Sequence, residues 1–274
     1  MRTSLPTNDG SGARCGFVNL CKRKGYTSHD AVAIIKKLYG CKAGHTGTLD
    51  PQAEGVLPIC VGRATKLAGF FSSDDKEYEA VVLLGITTDT GDITGNVLLQ
   101  NERAVFGLDE ICRAAVSFTG EYMQTPPMHS AIKINGKKLY ELARKGITVE
   151  REKRPVKIDR LEVKDYSPEK RMFTILVACS KGTYVRSLCE DIGKKLGCGA
   201  CMGALVRTRS GRFKIGDSVT PDGLRAASEN GTLNNYLIPV ETVLQYPRIV
   251  IGRDQIKRAQ NGNPINHLQN GLPS

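Results

Sequence analysis

The sequence has no tryptophan, and aromatic residues make up only 6% of its 274 positions. Histidine occurs four times, without the HExxH spacing that holds zinc on a helix. No apolar run approaches the roughly 20 residues that a membrane-spanning helix needs, and the first residues lack the apolar core of a signal peptide. We therefore expect a cytoplasmic protein without a membrane segment or a histidine-based metal site.

The charge of the chain is one-sided. Its 39 lysines and arginines outnumber 28 aspartates and glutamates, which gives a formal net charge of +11 and a pI near 9.2. Such an excess of cations predicts a polyanionic partner, most simply a nucleic acid. An ordinary basic protein would show the same balance, so the charge leaves both interpretations open.

The nine cysteines are scattered and odd in number. Most lie beside apolar residues, as reduced thiols do when they serve as small core residues. Cys198 and Cys201 have the CxxC spacing of zinc or redox sites, but no second pair of cysteines or histidines completes a set of four ligands. We predict reduced cysteines, no metal and no cofactor.

The stretch most informative about function covers residues 44–51 and reads Gly-His-Thr-Gly-Thr-Leu-Asp-Pro. Glycine permits unusual backbone angles, and proline disfavours helix at the preceding residue, here Asp50. Asp50 is therefore predicted on a loop with its carboxylate facing outward, as a candidate nucleophile. An ordinary turn, in which the carboxylate accepts hydrogen bonds from nearby amides, would give the same pattern.

A longer stretch around this octamer, residues 43–66, resembles the signature of the bacterial tRNA pseudouridine-55 synthases of the TruB type. It reads AGHTGTLDPQAEGVLPICVGRATK. Further blocks agree with that family in the same order, at residues 76–80, 88–92, 136–141, 180–188 and 205–208. Together they cover most of residues 15–214, which makes the resemblance far more specific than any single motif.

The resemblance implies an α+β pseudouridine synthase fold, with a central mixed, largely antiparallel sheet flanked by helices. Strand and helix patterns alternate along the chain without a regular βαβ repeat, which favours the same architecture. We expect a disordered tail over residues 1–14 and a catalytic domain over 15–228, with a basic thumb insertion at about 128–154. A small PUA-like RNA-binding module is expected over 229–274, and we expect it to be incomplete.

The activity implied by the resemblance is isomerisation of the T-loop uridine at tRNA position 55 to pseudouridine. A carboxylate can perform this reaction covalently without a metal or cofactor. Asp50 matches the nucleophile, and Arg186 matches the cation that favours its ionised form. Tyr78 matches the active-site tyrosine, whose ring stacks on the base and whose hydroxyl assists a late proton abstraction. Attack on C6 of the base or on C1′ of the sugar stays open.

The resemblance also implies a set of residues that hold the flipped nucleotide, because the target base must leave the T-loop stack before it reacts. His45 matches the position that fills the vacated space, and Tyr184 and Leu205 match positions that line the uracil pocket. Asp92 is expected to contact the flipped nucleotide or the loop around it. Ordinary packing would account for each of these residues when taken alone.

Two basic segments suit an RNA backbone. Residues 131–160 hold ten lysines and arginines against four acidic residues, and a second basic run follows at residues 207–214. The partner implied is the T-arm of tRNA, bound by a monomer with no obligate protein partner and no membrane contact. The predicted backbone contacts are Lys133, Lys137, Lys138, Arg144 and Arg207.

Two other functions remain open at this point. A non-catalytic RNA-binding or tRNA-folding protein would use the same basic surfaces, although it would not need a nucleophile paired with a cation. An Asp-dependent metal phosphohydrolase would need several carboxylates near Asp50, where Glu54 is the only nearby acid in the sequence.

Overall fold

The computed structural model describes residues 14–102, 104–244, 246 and 251–265. Its strands are β1 (Gly16–Lys22), β2 (Ala43–His45), β3 (Glu54–Val61), β4 (Lys76–Leu84), β5 (Ile86–Thr88), β6 (Val97–Gln100), β7 (Gly120–Gln124), β8 (Lys133–Ile134), β9 (Lys137–Lys138), β10 (Arg154–Ser167), β11 (Met172–Cys179), β12 (Ala200–Ser210) and β13 (Phe213–Lys214). Its α-helices are α1 (Ser28–Tyr39), α2 (Ala68–Phe71), α3 (Leu108–Val116), α4 (Leu139–Ala143), α5 (Val185–Lys195), α6 (Pro221–Glu229), α7 (Val240–Leu244) and α8 (Ile256–Gln260). Shorter 3-10 helices span Gly62–Leu67, Ile215–Asp217, Leu233–Tyr236 and Arg253–Gln255.

The main sheet has the strand order β1-β3-β12-β4-β11-β10-β7, with β2 added beside β3 and β13 beside β12. Strands β3 and β12 run parallel, and the other paired strands of this sheet run antiparallel. The α+β architecture with a mixed, largely antiparallel central sheet is therefore confirmed. Strand β12 lies in the middle of this sheet, between β3 and β4.

One face of the sheet is buried by regular alternation along its strands. Phe173, Ile175 and Val177 occupy every second position of β11 and are buried. Side chains at alternate positions of a strand share a face, and burying each one stabilises the fold by about 1.5–3 kcal/mol. Helix α3 packs against β10, and α5 packs against β12 and β4.

Helix α1 fixes the chain that leads to the predicted site. Thr27 caps its first turn through a reciprocal capping box with Asp30, and Gly40 ends it in the left-handed conformation. The hydroxyl of Ser28, the first helical residue, accepts a hydrogen bond from the Leu49 amide and donates one to the Leu49 carbonyl, both at 2.9 Å. The backbone immediately before Asp50 is thereby held by the start of α1.

The chain divides into a large unit that ends at Val240 and a small one that begins at Glu241. Residues beyond the predicted boundary at 228 still belong to the large unit, because Ile238 and Phe17 exchange backbone hydrogen bonds of 2.7 and 2.8 Å. The apolar side chains of Leu233 and Leu237 are buried in the core of the large unit and attach this segment to it. The PUA-like module over 229–274 stays a prediction.

The remaining predictions about the chain ends fall mostly outside the described residues. The predicted N-terminal tail does so except for Arg14, whose guanidinium lies over the Tyr39 ring and donates to the Tyr39 carbonyl. In the small unit, described residues 251–265 form a 3-10 turn and α8 and contain no strand. In the part of the chain that is described, no helix has both the length and the apolar character needed to cross a membrane.

Candidate active site

Asp50 lies on the loop between β2 and β3, directly before Pro51. The Ser28 hydroxyl holds Leu49 on one side, and the Ala53 amide donates to the Asp50 carbonyl at 3.0 Å on the other. The Asp50 side chain keeps 35% of its surface exposed. The backbone around this carboxylate is therefore fixed while the carboxylate itself stays accessible.

Arg186 is the ion-pair partner of Asp50, with Nε lying 2.9 Å from Oδ2. Its other two nitrogens donate to the carbonyl oxygens of Thr90, at 3.1 Å, and of His129, at 2.9 Å. Arg186 lies in the first turn of α5, where the helix dipole disfavours a cation. The Asp50 carboxylate and the two carbonyl oxygens compensate for this unfavourable interaction with the dipole. They also fix the orientation of the guanidinium, and the Arg186 side chain is only 6% exposed.

Tyr78 lies on β4 directly opposite Arg207 on β12. Burial raises the pKa of Tyr78, and the Asp50 charge raises it further. The charge of Arg207 and a hydrogen bond from its side chain lower that pKa in part. Tyr78 is therefore a neutral phenol at neutral pH, placed where both the Asp50 carboxylate and a buried cation act on its hydroxyl.

Tyr184 precedes α5 as its N-cap residue and is held through its backbone. The buried side chain of Gln124 accepts from the Tyr184 amide at 2.8 Å and donates to the Tyr184 carbonyl at 3.0 Å. Burial raises the pKa of the Tyr184 hydroxyl, on which the charges of Arg186 and Asp50 also act. The structure therefore brings Tyr184 to the ion pair.

Leu205 lies on the same face of the sheet as Tyr78. It pairs with Ala80, while Arg207, two residues further along β12, pairs with Tyr78. Positions two apart on a strand share a face, as do directly opposed residues. Leu205 is 7% exposed and belongs to the core cluster, so it supplies an apolar wall beside the tyrosine.

His45 ends β2 and pairs with Ile59 of β3. Its ring meets the ring of His29 edge to face, with centroids 5.8 Å apart. Burial lowers the pKa of His45, and electrostatic interactions with His29 and Arg207 lower it further. His45 is therefore neutral at neutral pH, and its buried Nδ1 has no hydrogen-bond partner among the described residues.

Asp92 lies in the loop between β5 and β6, with its carboxylate engaged inside that loop. Its Oδ1 accepts from the amide and hydroxyl of Thr94, at 2.9 and 2.6 Å, and from the Thr90 hydroxyl at 3.0 Å. The Thr90 carbonyl in turn accepts from Arg186. Asp92 is thus linked to the ion pair through Thr90 rather than by direct contact.

The prediction that Arg207 contacts the RNA backbone is wrong. Its side chain is 1% exposed, so it offers no surface to a phosphate. Its neighbour Arg209, in the same predicted basic run, forms an ion pair of 3.0 Å with Glu77. Residues 207–214 contain no acidic residue in the sequence, but the pairing of β12 with β4 brings Glu77 opposite Arg209.

The predicted thumb forms the short hairpin β8–β9 followed by α4. Lys133 and Lys137 are exposed on this hairpin. Lys138 and Arg144 both lie over the ring of Tyr140, with their charged groups 5.4 Å from its centroid. The hairpin therefore presents two exposed lysines beside a cluster of two cations on one aromatic ring.

Lys22 is a buried residue that the sequence analysis did not assign to the site. Its Nζ donates to the carbonyls of Arg23, Tyr26 and Pro51, at 2.9, 2.8 and 3.3 Å. Burial lowers the pKa of Lys22 to about 8, although the Asp50 charge opposes this shift. Lys22 thus ties the end of β1 to the residue after Asp50. This contact joins distant parts of the chain, and no local sequence pattern indicates it.

A cleft of about 390 Å³ adjoins Tyr184 and was also not foreseen as a unit. Arg154 and Lys181 line it together with Ile132 of the thumb and Gln124.

In the described ranges no group of three or more His, Cys, Asp or Glu side chains could hold a metal ion. Cys198 and Cys201 are free and buried, and burial raises the pKa of both thiols.

Comparison with known proteins gives two family matches that meet end to end. Residues 35–185 match the family described as "TruB family pseudouridylate synthase (N terminal domain)". Residues 186–245 match the "tRNA pseudouridylate synthase B C-terminal domain". The first match alone covers more than half of the chain.

Similar curated proteins include two that are both named "tRNA pseudouridine synthase B". The one from Pelotomaculum thermopropionicum is 48% identical over 256 residues, which cover 91% of this chain and 81% of that protein. The one from Bacillus pumilus is 44% identical over 253 residues, which cover 90% and 82%.

Solved structures with the same fold include a chain of the "Crystal Structure of a Cbf5-Nop10-Gar1 Complex", with a TM-score of 0.65 and 33% identity. That match covers 84% of this chain and 61% of the solved chain. A second is a chain of the "Structure of H/ACA RNP bound to a substrate RNA containing 2'-deoxyuridine", with a TM-score of 0.62, 31% identity, and coverage of 84% and 60%. With both family matches, the chain belongs to the TruB family of pseudouridylate synthases, which are isomerases.

Proposed function

We propose that this protein is a tRNA pseudouridine synthase that isomerises uridine 55 in the T loop. The observation that carries the proposal is the pair of Asp50 and Arg186, with Nε and Oδ2 2.9 Å apart. Tyr78 and Tyr184 lie within the electrostatic reach of the same carboxylate. A carboxylate that is held in place, partly exposed and balanced by a buried cation is suited to nucleophilic attack.

The reaction assigned to this site begins with attack of the Asp50 carboxylate on the flipped uridine, at C6 of the base or C1′ of the sugar. If Asp50 adds to C6, the N1–C1′ bond then breaks, the base turns, the C5–C1′ bond forms, and loss of the C5 proton expels Asp50 from C6. If Asp50 attacks C1′, the N1–C1′ bond breaks as the ester forms, and the ester bond breaks as C5 of the turned base bonds to C1′, after which the C5 proton leaves. In either route N1 gains one proton, C5 loses one to the solvent, and the Asp50 carboxylate is regenerated. Tyr78 stacks on the base and its hydroxyl assists the loss of that proton.

The flipped nucleotide is held by the residues around the ion pair. Tyr184 and Leu205 form the walls of the uracil pocket, and His45 occupies the space that the base leaves in the T loop. Because burial lowers the pKa of His45, the ring that enters the RNA stack is uncharged. Asp92 orders the loop that supplies the Thr90 carbonyl to Arg186, and it contacts the nucleotide from there.

The RNA backbone is bound by cations on the thumb and beside the cleft. Lys133 and Lys137 are exposed on the hairpin, and Lys138 and Arg144 extend the same surface. Neutralising several phosphates releases counterions and supplies sequence-independent affinity. We further propose that the enzyme acts in the cytoplasm as a monomer. The proteins named with Cbf5 in the solved complex belong to that complex, and we propose no obligate partner here.

The experiment that tests this function maps the product on a synthetic T-arm RNA. Pseudouridine is marked with a carbodiimide, and the marked position is read as a stop in reverse transcription. We expect a stop at position 55 after treatment with the wild-type chain and none when that uridine is replaced by cytidine. RNA binding without any stop would favour the non-catalytic tRNA-folding function instead.

A further inference from the structure

Arg207 is a buried cation that the proposed chemistry does not use. It lies on β12, the strand between β3 and β4 in the middle of the sheet, and it is among the largest fully buried side chains of the protein. Burying a guanidinium is costly unless hydrogen bonds replace its water. Its partners therefore indicate what the protein gains from placing it there.

Those partners are backbone carbonyls on both sides of Asp50. Arg207 Nε donates to the Val56 carbonyl at 2.7 Å, Nη1 to Thr48 at 3.2 Å and Nη2 to Gly47 at 3.3 Å. Gly47 and Thr48 precede the nucleophile, and Val56 follows it at the start of β3. One planar group therefore closes the two ends of the loop onto each other.

The backbone of the loop also fits closely against β12. Gly55 has a φ of +101°, and a Cβ at that position would lie 2.3 Å from the Arg207 carbonyl oxygen. Only glycine allows both the positive φ and this approach. Opposite Arg207, β4 presents Tyr78, whose side chain receives a hydrogen bond from the guanidinium.

We propose that Arg207 is a positioning residue that fixes the loop of residues 47–56, and with it the Asp50 carboxylate, against the strand that holds Tyr78. The role in catalysis rests on the function proposed above. Lysine cannot replace this arginine, because its ammonium is a point charge without the planar fork that reaches three carbonyls at once. A shift of the loop by about 1 Å lowers the rate of an oriented reaction by about 10²-fold.

The test compares Arg207→Lys with wild type on the T-arm RNA under single-turnover conditions. We expect the isomerisation rate to fall by about 10²-fold, while the Kd for the RNA stays within about threefold, because Arg207 does not face the solvent. Leu224→Ala is the matched control. It removes a fully buried side chain on α6, a helix that packs against α1 and β1. It lowers stability but leaves the hydrogen bonds of Arg207 in place, so it should keep the wild-type rate below its melting temperature.

Hydrogen exchange gives a readout that does not depend on activity. In Arg207→Lys, peptides covering residues 44–56 should exchange faster than in wild type. In Leu224→Ala, the protection of these peptides relative to the rest of the protein should match that in wild type. If Arg207→Lys does not fold, the same peptides in wild type still test whether the loop is fixed: Ala53, whose amide is bonded to the Asp50 carbonyl, should exchange only through global unfolding.

Several outcomes would overturn the inference. The isomerisation rate of Arg207→Lys equals that of wild type, or Leu224→Ala loses as much rate as Arg207→Lys does. The other two are that Arg207→Lys weakens RNA binding instead of slowing the reaction, and that the loop of the wild-type chain exchanges its amide hydrogens through local opening. A wild-type chain that leaves uridine 55 unchanged contradicts the proposed function instead. In that case the exchange of residues 44–56 still decides whether Arg207 holds the loop.

Discussion

At the scale of single residues, the site is built by pairing its buried charged side chains with partners that also fix their direction. Arg186 shows this most clearly, because each of its three guanidinium nitrogens has its own acceptor. Its charge balances Asp50, and its two carbonyl contacts stop it from rotating away. Charge and orientation are therefore separable properties of the same side chain.

The substitution Arg186→Lys separates the charge of this side chain from its orientation. The variant keeps the positive charge beside Asp50 but loses the fixed fork that bonds the Thr90 and His129 carbonyls. We expect the single-turnover rate on T-arm RNA to fall at least tenfold while the Kd changes less than threefold. Arg209→Lys, in the ion pair with Glu77, is the matched control and should keep the wild-type rate. Equal rates for Arg186→Lys and wild type would argue against the need for orientation.

Lys22 gives a prediction about stability and pH. Its pKa is about 8 in the folded protein, against 10.5 for the free side chain. Below pH 8 both states are protonated, so the cost of burying the ammonium is fully present. Between pH 8 and 10.5 the unfolded state binds more protons, and stability therefore rises with pH.

The free energy of unfolding of wild type, measured relative to Lys22→Met, should accordingly rise between pH 8 and 10.5 by roughly 3 kcal/mol and then level off. Chemical denaturation at several pH values measures this difference, and groups common to both proteins cancel. A difference that is constant or falls with pH would show that Lys22 is not buried as an ammonium.

At the scale of elements, a clear period of apolar residues is enough to predict a helix or a strand. The pattern over Ala31–Leu38 predicts a helix and the pattern over Met172–Ala178 predicts a strand, and the structure has α1 and β11 there. Strand β12 was not predicted, because its sequence, ACMGALVRTRS, combines small residues with four polar side chains at its end. Its central place in the sheet buries Arg207, which the sequence assigned to the surface.

The contrast between local sequence patterns and long-range pairings also explains which residues of the site could be predicted. The residues Asp50, Tyr78, Arg186 and Tyr184 lie in blocks that resemble a known family, and the fold brings them together. Lys22, Gln124 and the true place of Arg207 depend on long-range pairings such as β12 with β3. Local patterns do not indicate such pairings, since the partners are up to 160 residues apart.

The hairpin β8–β9 gives a prediction for an element. Replacing Lys133 and Lys137 together by alanine should weaken T-arm binding and reduce the slope of log Kd against log salt by roughly 0.7–0.9 for each phosphate that is no longer neutralised. The rate at saturating RNA should change little. The control replaces Lys36 and Lys37, exposed in the last turn of α1, and should leave the slope unchanged. An equal effect of both pairs would show that net charge alone, not the thumb, controls binding.

At the scale of the whole molecule, a chain of net charge +11 surrounds a site whose own charges are balanced. Asp50 faces Arg186 in an ion pair of 2.9 Å, and exposed lysines lie on the thumb. We therefore expect affinity to come from the exposed cations and chemistry from the Asp50–Arg186 pair. Substitutions in one group should leave the other property nearly intact.

The measurement that tests the central claim most directly is tritium release from T-arm RNA that holds 5-tritiated uridine, in a buffer with a metal chelator. We predict release by wild type and none above background by Asp50→Asn, with the Kd for the RNA of the two proteins within about threefold. Release by Asp50→Asn at the wild-type rate would contradict the assignment of Asp50 as the nucleophile. RNA binding by wild type without release would contradict the enzymatic function itself.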